Sequence, residues 1–573
     1  MKSCSKKWKQ NQVKPKFAAV YQEVKERFFS RNPDYWPIFN DPDIREIVAW
    51  RRRSEPEERL LREYPGSRRL LQQLHDRSNI PRAWQQMKRH GEDMARFCAV
   101  FSKNWEHPGS AENVISMSSD PAVCGSLLAL ITNPNLAHVE YAGLAVDLEK
   151  KVIRQMASLI GYNPRQATGI FTQGGTFCNL YGYLLGIRKS LPEARTYGMD
   201  YTQDYRFINS MGGHYSNITN LSLLGVNIRD KTIRIKLGPN NDIDLRDMEF
   251  QLESCFRLRC VVPTIMLTMG TTDTFGVDRV KSVCEIRNRL ARKFGLKIRP
   301  HIHVDAAVGW AMLFFRNYDC ARNELGINDV TLQSIRRHQA RFAEMRYADS
   351  CTIDFQKWGY VPYTSSLVMI RHAADLNVLR HDPELFCYFD KHTQGYTHLT
   401  ATIECSRGAA GVFGAYTALQ ALGIKGYQVI LAHCLQNANY FRMRLSALRF
   451  VKIIAEENMG PSVGFRVYSP AFVKSAAEEF AFECAYADTA AYQRRVRRNT
   501  AFHHRVFQRK GKVGLFTNWI GSVAHTDYNP NDKFTFLPGE KAVFFNPHTT
   551  VSEIDIFIEQ LVKTVQSCTR VIK

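Results

Sequence analysis

Three side chains of this sequence could share one reaction centre: Lys357, Asp305 and His214. A lysine amine can condense with a carbonyl to form a Schiff base. A carboxylate at the end of a buried strand needs a cation or a hydrogen-bond donor as partner, and Asp305 follows the apolar run His301–Val304. A histidine beside two glycines, as in Met211-Gly212-Gly213-His214, can stack on a planar group or move a proton. A fourth element, Gly174-Gly175-Thr176, offers backbone N–H groups and a hydroxyl to an anion, because a helix start after glycines favours phosphate. Taken singly, each has an ordinary explanation: a surface lysine, a structural histidine, a tight turn.

Their placement gives them weight. Each candidate lies just past the end of a strand-like run and ahead of a helical one. Gly169–Thr172 precedes the glycine turn and a helix over 176–190, and Phe207–Ser210 precedes His214. Val261–Thr268 precedes Gly270-Thr271-Thr272 and a helix over 280–294; Asp349–Asp354 precedes Gln356-Lys357, and Ser365–Ile370 makes a further strand. Ligands of open α/β sheets bind at that edge, beyond the strand C-termini. Upstream, Leu148, Val152, Met156 and Leu159 repeat at helical spacing and stop at Gly161.

The whole composition sets outer bounds. The chain has 573 residues, 45% of them hydrophobic, and no apolar run reaches the roughly 18–20 residues that span a bilayer. The basic N-terminus lacks the apolar stretch of a secretory signal. The 14 cysteines show no C-x-x-C pair, which suits reduced thiols rather than a disulfide framework or a zinc site. These features predict a cytoplasmic protein without a metal. The formal charge is +22, with six lysines in the first sixteen residues and a run from Arg494 to Lys512 that contains no acid. No nucleic-acid-binding motif accompanies either run, so both are expected to be solvated surface, not a nucleic-acid interface.

The ordered set of motifs resembles the group II pyridoxal-phosphate-dependent decarboxylases, on the aspartate-aminotransferase-like fold (fold type I). It comprises Gly174-Gly175-Thr176 with Asn179, Ser210-x-x-x-His214-x-Ser216, Gly270-Thr271-Thr272 with Gly276 and Asp278, His303-Val304-Asp305-Ala306-Ala307, Ala348-Asp349-Ser350 with Asp354-Phe355-Gln356-Lys357, and Cys405-Ser406-Arg407. The resemblance implies a mostly parallel central sheet over residues 105–426. A helical extension over 1–104 would precede it and a smaller α+β domain over 427–573 would follow. It implies pyridoxal 5'-phosphate held by Lys357, with Asp305 on the pyridine nitrogen, His214 on one ring face and Ala307 on the other. Gly175 and Thr176 would take the phosphate, Thr272 would sit near the ring oxygen, and Arg407 would grip the substrate α-carboxylate. Two departures stand out: Gln356 replaces the histidine usual before the lysine, and the loop that should carry a tyrosine acid offers Tyr396, with His392 and Tyr388 as alternatives.

The expected reaction is decarboxylation of an L-amino acid by a homodimer with its site at the interface. An acidic substrate is favoured from Asn133-Pro134-Asn135 and Gly359–Ser366; an aromatic substrate is the alternative. A carbon–carbon lyase resembling sphingosine-phosphate lyase shares the lysine, aspartate and histidine and has a segment like Lys357-Trp358-Gly359. A non-catalytic, basic binding protein on the same scaffold is the reading outside enzymology.

Overall fold

The computed structural model describes residues 10–52, 102–199, 203–381, 398–526 and 536–570, together with a few positions between 72 and 99. The central element is a seven-stranded sheet of β1 (Thr168–Thr172), β2 (Phe207–Ser210), β3 (Thr232–Ile235), β4 (Thr264–Thr268), β5 (His301–Asp305), β6 (Ser350–Asp354) and β7 (Ser366–Ile370). Its order is β1-β7-β6-β5-β4-β2-β3, with β7 antiparallel to both neighbours and the other pairings parallel. Every residue of β4, β5 and β6 is buried. That is why these strands read as continuous apolar runs rather than as alternation: helices cover both faces.

Four helices lie around this sheet. The first labelled helix, α1 (Pro15–Phe29), belongs to the N-terminal extension and packs on the long helix described below. Its Tyr21 ring stacks on His433 at 3.9 Å. Just beyond it, Arg31 forms buried ion pairs with Asp120 (2.6 Å) and Glu106 (2.9 Å), which lock the extension to α2 (Asp120–Thr132). In α3 (Ala145–Ile160) Val152 and Met156 of the expected stripe are buried, whereas Leu148 and Leu159 are half-buried; the buried face is turned toward Val146, Ile153 and Ile160, and Gly161 ends the helix at φ 94°. The same face buries Glu149, an exception that requires a partner. Helix α4 (Gly175–Ser190) lies across the sheet, touching β4, β5, β6 and β7.

Beyond α5 (Val280–Lys293), the helix α6 (Ala410–Ser446) passes from the large sheet to the small domain. The expected division at 426/427 falls inside it. The backbone breaks three residues earlier, at Gly423, whose φ of 58° and ψ of −174° leave the helical region. The small domain is a four-stranded antiparallel sheet, β10-β11-β9-β8, built from β8 (Val451–Ile454), β9 (Ser462–Val467), β10 (Asn518–His525) and β11 (Phe536–Val543). Helices α7 (Ala490–Lys510) and α8 (Val551–Arg570) pack against each other beside it.

The basic run at 494–512 departs from a uniformly solvated surface. Lys510 is buried and pairs with the buried Glu540 at 3.0 Å, and Arg495 pairs with Glu479 at 2.5 Å. A buried carboxylate draws a cation inward, since leaving it unpaired costs more than desolvating the pair.

The approach of α4 to the sheet is tight enough to test. A Cβ on Gly186 would lie 2.1 Å from Thr264 Oγ1 and 2.5 Å from the Pro263 carbonyl oxygen. Alanine gains about 1 kcal/mol over glycine in an exposed helix interior, whereas overpacking costs about 1–3 kcal/mol and more against backbone. Gly186→Ala is therefore expected to lower the urea midpoint; a raised midpoint would show that the helix can move off the sheet.

Candidate active site

A cavity of about 800 Å³ opens at the C-terminal edge of the parallel strands. Lys357, His214, Asp305, Ala307, Thr272, Gln356, Gly175 and Thr176 all line it. Eight of the ten residues expected in the site therefore meet at one place. Tyr396, with His392 and Tyr388, lies outside the described residues.

Lys357 follows β6 in the turn after Asp354. Its Nζ lies 2.9 Å from Asp354 Oδ2. Burial alone would lower this ammonium, but Asp354 and Asp305 outweigh it and hold the group above its ordinary value. Asp354 Oδ1 accepts a 2.6 Å hydrogen bond from Ser366 Oγ, and that hydroxyl also accepts one from Gln356 Nε2 at 2.7 Å. Gln356 Oε1 accepts from the Ser365 N–H at 2.9 Å. Gln356 thus knits the lysine turn to β7, a task for which an amide with both donor and acceptor suffices.

Asp354 also explains the glycine turn. A Cβ on Gly175 would sit 2.8 Å from both its carboxylate oxygens. Gly174 has φ 127°, outside the range of ordinary side-chain-bearing residues, and no side chain caps the helix start. The first N–H groups of α4 therefore face the cavity without a capping side chain. That start fits a phosphate group.

Asp305 ends β5. Its Oδ1 accepts from the Ala307 N–H (3.1 Å) and its Oδ2 from Asn179 Nδ2 (2.8 Å). Behind Asn179 runs a chain of buried polar groups. Asn179 Oδ1 accepts from Thr352 Oγ1 (2.7 Å) and is 3.2 Å from His303 Nε2. His303 Nδ1 and His301 Nε2 each lie 2.7 Å from Ser350 Oγ. The carboxylate that would pair with a pyridine nitrogen is thus held from behind by side chains of α4, β5 and β6. His214 also lines the cavity; its Nδ1 accepts from the Ser216 N–H at 3.2 Å. Burial, aided by Lys357, pushes the imidazole below its ordinary value against the pull of Asp305. A neutral flat ring results, suited to stacking.

Arg407 is placed elsewhere. It does not line the cavity but forms a bidentate pair with Glu149, at 2.5 and 3.2 Å, and donates to the carbonyls of Phe171 (3.2 Å) and Leu136 (2.9 Å). Both side chains are buried, at 2% and 0% exposure. This guanidinium answers the carboxylate that α3 buries, so the placement gives no support to a grip on substrate. Besides Lys357, the cations that line the cavity are Arg234 and Lys541, the latter 2.9 Å from Asp273. Lys541, His525 and Phe536 come from the small domain and were not expected. Nothing near them in sequence marks them, because only the docking of β10 and β11 against the large domain brings them in. Asp354 had a local signal: it stands one helical turn before Lys357.

Comparison with known proteins accords with this geometry. Residues 68–468 match the pyridoxal-dependent decarboxylase conserved domain, and the chain belongs to that family. The chain is 22% identical over 333 residues to the L-2,4-diaminobutyrate decarboxylase of Rhizobium meliloti (58% of this chain, 60% of that protein). It is 24% identical over 339 residues to the aspartate 1-decarboxylase of Aliivibrio fischeri (55% and 56%). The chain therefore spans under two thirds of these curated relatives. Among solved structures, tryptophan decarboxylase from Catharanthus roseus superposes with a TM-score of 0.65 at 15% identity, covering 88% of this chain and 92% of that one. Fold type I, with its mixed sheet and N-terminal helical extension, is thereby established, as is the family's cofactor, pyridoxal phosphate.

Two measurements follow. Arg407→Met would strand the buried Glu149 and is expected to cost about 3–5 kcal/mol of stability, read from denaturant unfolding. A variant of unchanged stability whose KM alone rises would restore the substrate-binding role. The second concerns His301 and His303, which burial holds neutral down to about 3 and about 4, against 6.5 for the unfolded chain. Only the unfolded state takes up protons across that window, so their contribution is complete above about pH 6.5 and is lost as pH falls toward about 4. His303→Gln is expected to flatten the loss of stability between pH 7 and pH 5; equal slopes would count against it.

Proposed function

We propose that this chain decarboxylates an L-amino acid to its amine and CO₂, with pyridoxal phosphate bound through Lys357. The observation that carries the reading is the convergence of Lys357, Asp305, His214 and the uncapped start of α4 on one cavity, in a chain of the decarboxylase family. Bound pyridoxal phosphate supplies a sink for the electron pair released when a bond to the substrate's α-carbon breaks.

The protein's part is to hold and orient. Asp305, fixed by Asn179 and the Ala307 N–H, would keep a proton on the pyridine nitrogen, since a nearby carboxylate favours the charged form. His214 would present a neutral face to one side of the ring and Ala307 would leave room on the other. Gly175 and Thr176, which line the cavity, would receive the phosphate, and Thr272 would lie by the ring oxygen. Asp354 positions the Lys357 amine. Tyr396 is our proposed acid for returning a proton to the carbon that CO₂ leaves. A homodimer belongs to the same proposal: Leu128, Leu130, Ile131, Tyr141 and Leu144, close together in sequence, are each exposed, and a second subunit would cover them.

The side-chain class has support on both sides. Arg234 and Lys541 in the cavity, with the relative named aspartate 1-decarboxylase, support an acidic substrate. The aromatic alternative draws more support from the matched structures, which include tryptophan decarboxylase, and Tyr215, Tyr363 and Phe536 supply aromatic surface. A panel of L-amino acids assayed for CO₂ and amine is expected to give equal yields of both with the best substrate, and none with Lys357→Ala, which should also lack the visible absorption of the bound cofactor. Aldehyde formation without CO₂ would replace the decarboxylase reading with a carbon–carbon lyase. A protein that stays colourless with added pyridoxal phosphate would remove the enzyme reading altogether.

A further inference from the structure

A second cleft, of about 540 Å³, lies at the opposite edge of the large sheet, where β5 and β6 begin and β7 ends. Six cations line it: Arg188, Lys189, Arg287, Lys297, Arg299 and Arg371. The only carboxylates lining it are Asp349 and Asp375, and both are already engaged. Asp349 takes Arg287 at 2.6 Å on one oxygen and Arg371 at 2.8 Å on the other, and its Oδ2 also accepts the Ile302 N–H. Asp375 takes Lys189 at 2.8 Å. Among the described residues no carboxylate pairs with Arg188, Lys297 or Arg299, so the cleft carries four more positive charges than negative ones.

The cleft is open, and a cluster of unbalanced like charges there repels itself and raises the local concentration of anions. Burial and the neighbouring Arg195 push the Arg188 guanidinium below its ordinary value, the direction expected where a counter-charge is missing. The Nε of Arg371 is buried with no hydrogen-bond partner. Arginine forks suit phosphate oxygens, and lysine adds a point charge. The cofactor cavity lies past the other ends of the same strands, so this cleft is not part of it.

We propose that this cleft binds a small polyanion carrying at least two phosphate groups. A single phosphate would satisfy at most two of the four excess charges; a diphosphate brings more negative charge and two sets of acceptor oxygens for the separated cations.

The test is titration calorimetry of the full-length, cofactor-loaded protein with inorganic pyrophosphate at about 150 mM salt, where loose surface attraction is screened. Cofactor loading keeps the phosphate-accepting start of α4 filled. Saturable binding at one site per chain is expected, tighter than that of orthophosphate. Lys297 and Arg299 are both exposed, so Lys297→Glu/Arg299→Glu should leave the thermal midpoint and cofactor absorption unchanged while weakening pyrophosphate at least about tenfold, the size expected for lost charged hydrogen bonds. Lys297→Arg should retain binding. Absence of saturable binding, equal affinity in the charge-reversed variant, or binding of long polyanions only would overturn the proposal.

Discussion

Burying Asp305, Asp354 and Lys357 together at one sheet edge is the constraint from which most of this structure follows. None of the three would be stable there alone, because an isolated buried charge loses far more hydration than the interior returns. Lys357 and Asp354 pair directly, Asp354 is held by Ser366, and Asp305 is held by Asn179 and a backbone N–H. Each of those partners sits on a different element. The charges therefore dictate that α4, β5, β6 and β7 assemble in one register, and a slip of one residue in β5 or β6 would turn the carboxylates toward the opposite face.

The polar chain behind Asp305 extends this logic through the sheet. Asn179, Thr352, His303, Ser350 and His301 are all buried, yet each has a partner. A fully connected network rigidifies its members, whereas one missing link would leave unsatisfied groups in low dielectric. The orientation of Asp305 thus depends on residues that never reach the cavity. His303 also sits where α4 has no room for a side chain: a Cβ on Gly182 would lie 2.4 Å from its ring. Helix packing and carboxylate orientation are set by the same contact.

Much of this was legible in the sequence because it is local. A strand, a glycine turn and a helix lie within some twenty residues of one another, and periodicity and turn chemistry report them. That is enough to bring Lys357, Asp305, His214, Ala307, Thr272, Gln356, Gly175 and Thr176 to one edge. What the sequence conceals is pairing across long separations. Arg407 and Glu149 are 258 positions apart. Only the buried place of Glu149 on the apolar face of α3 hints that an arginine must come to it, and nothing says which. Lys541 is similarly silent, since its role depends on how β11 docks.

The charge distribution shows the same limit from the other side. Summed over the chain, +22 suggests a diffuse basic surface. In the fold the positive charge has separate fates. In the 494–512 run Lys510 is spent on the buried Glu540 and Arg495 on Glu479. At the far edge of the large sheet, residues from α4, α5, the loop before β5 and the end of β7 are gathered into one recess with too few acids to balance them. Those cations are more than 180 positions apart at the extremes, so no run in the sequence announces them. Topology concentrates them, because the strand starts of a parallel sheet and the C-terminal ends of its helices meet at the same edge, and the negative end of a helix dipole tolerates cations there. The two edges of one sheet thus acquire opposite characters: paired acids and a lysine where the strands end, and unbalanced cations where they begin.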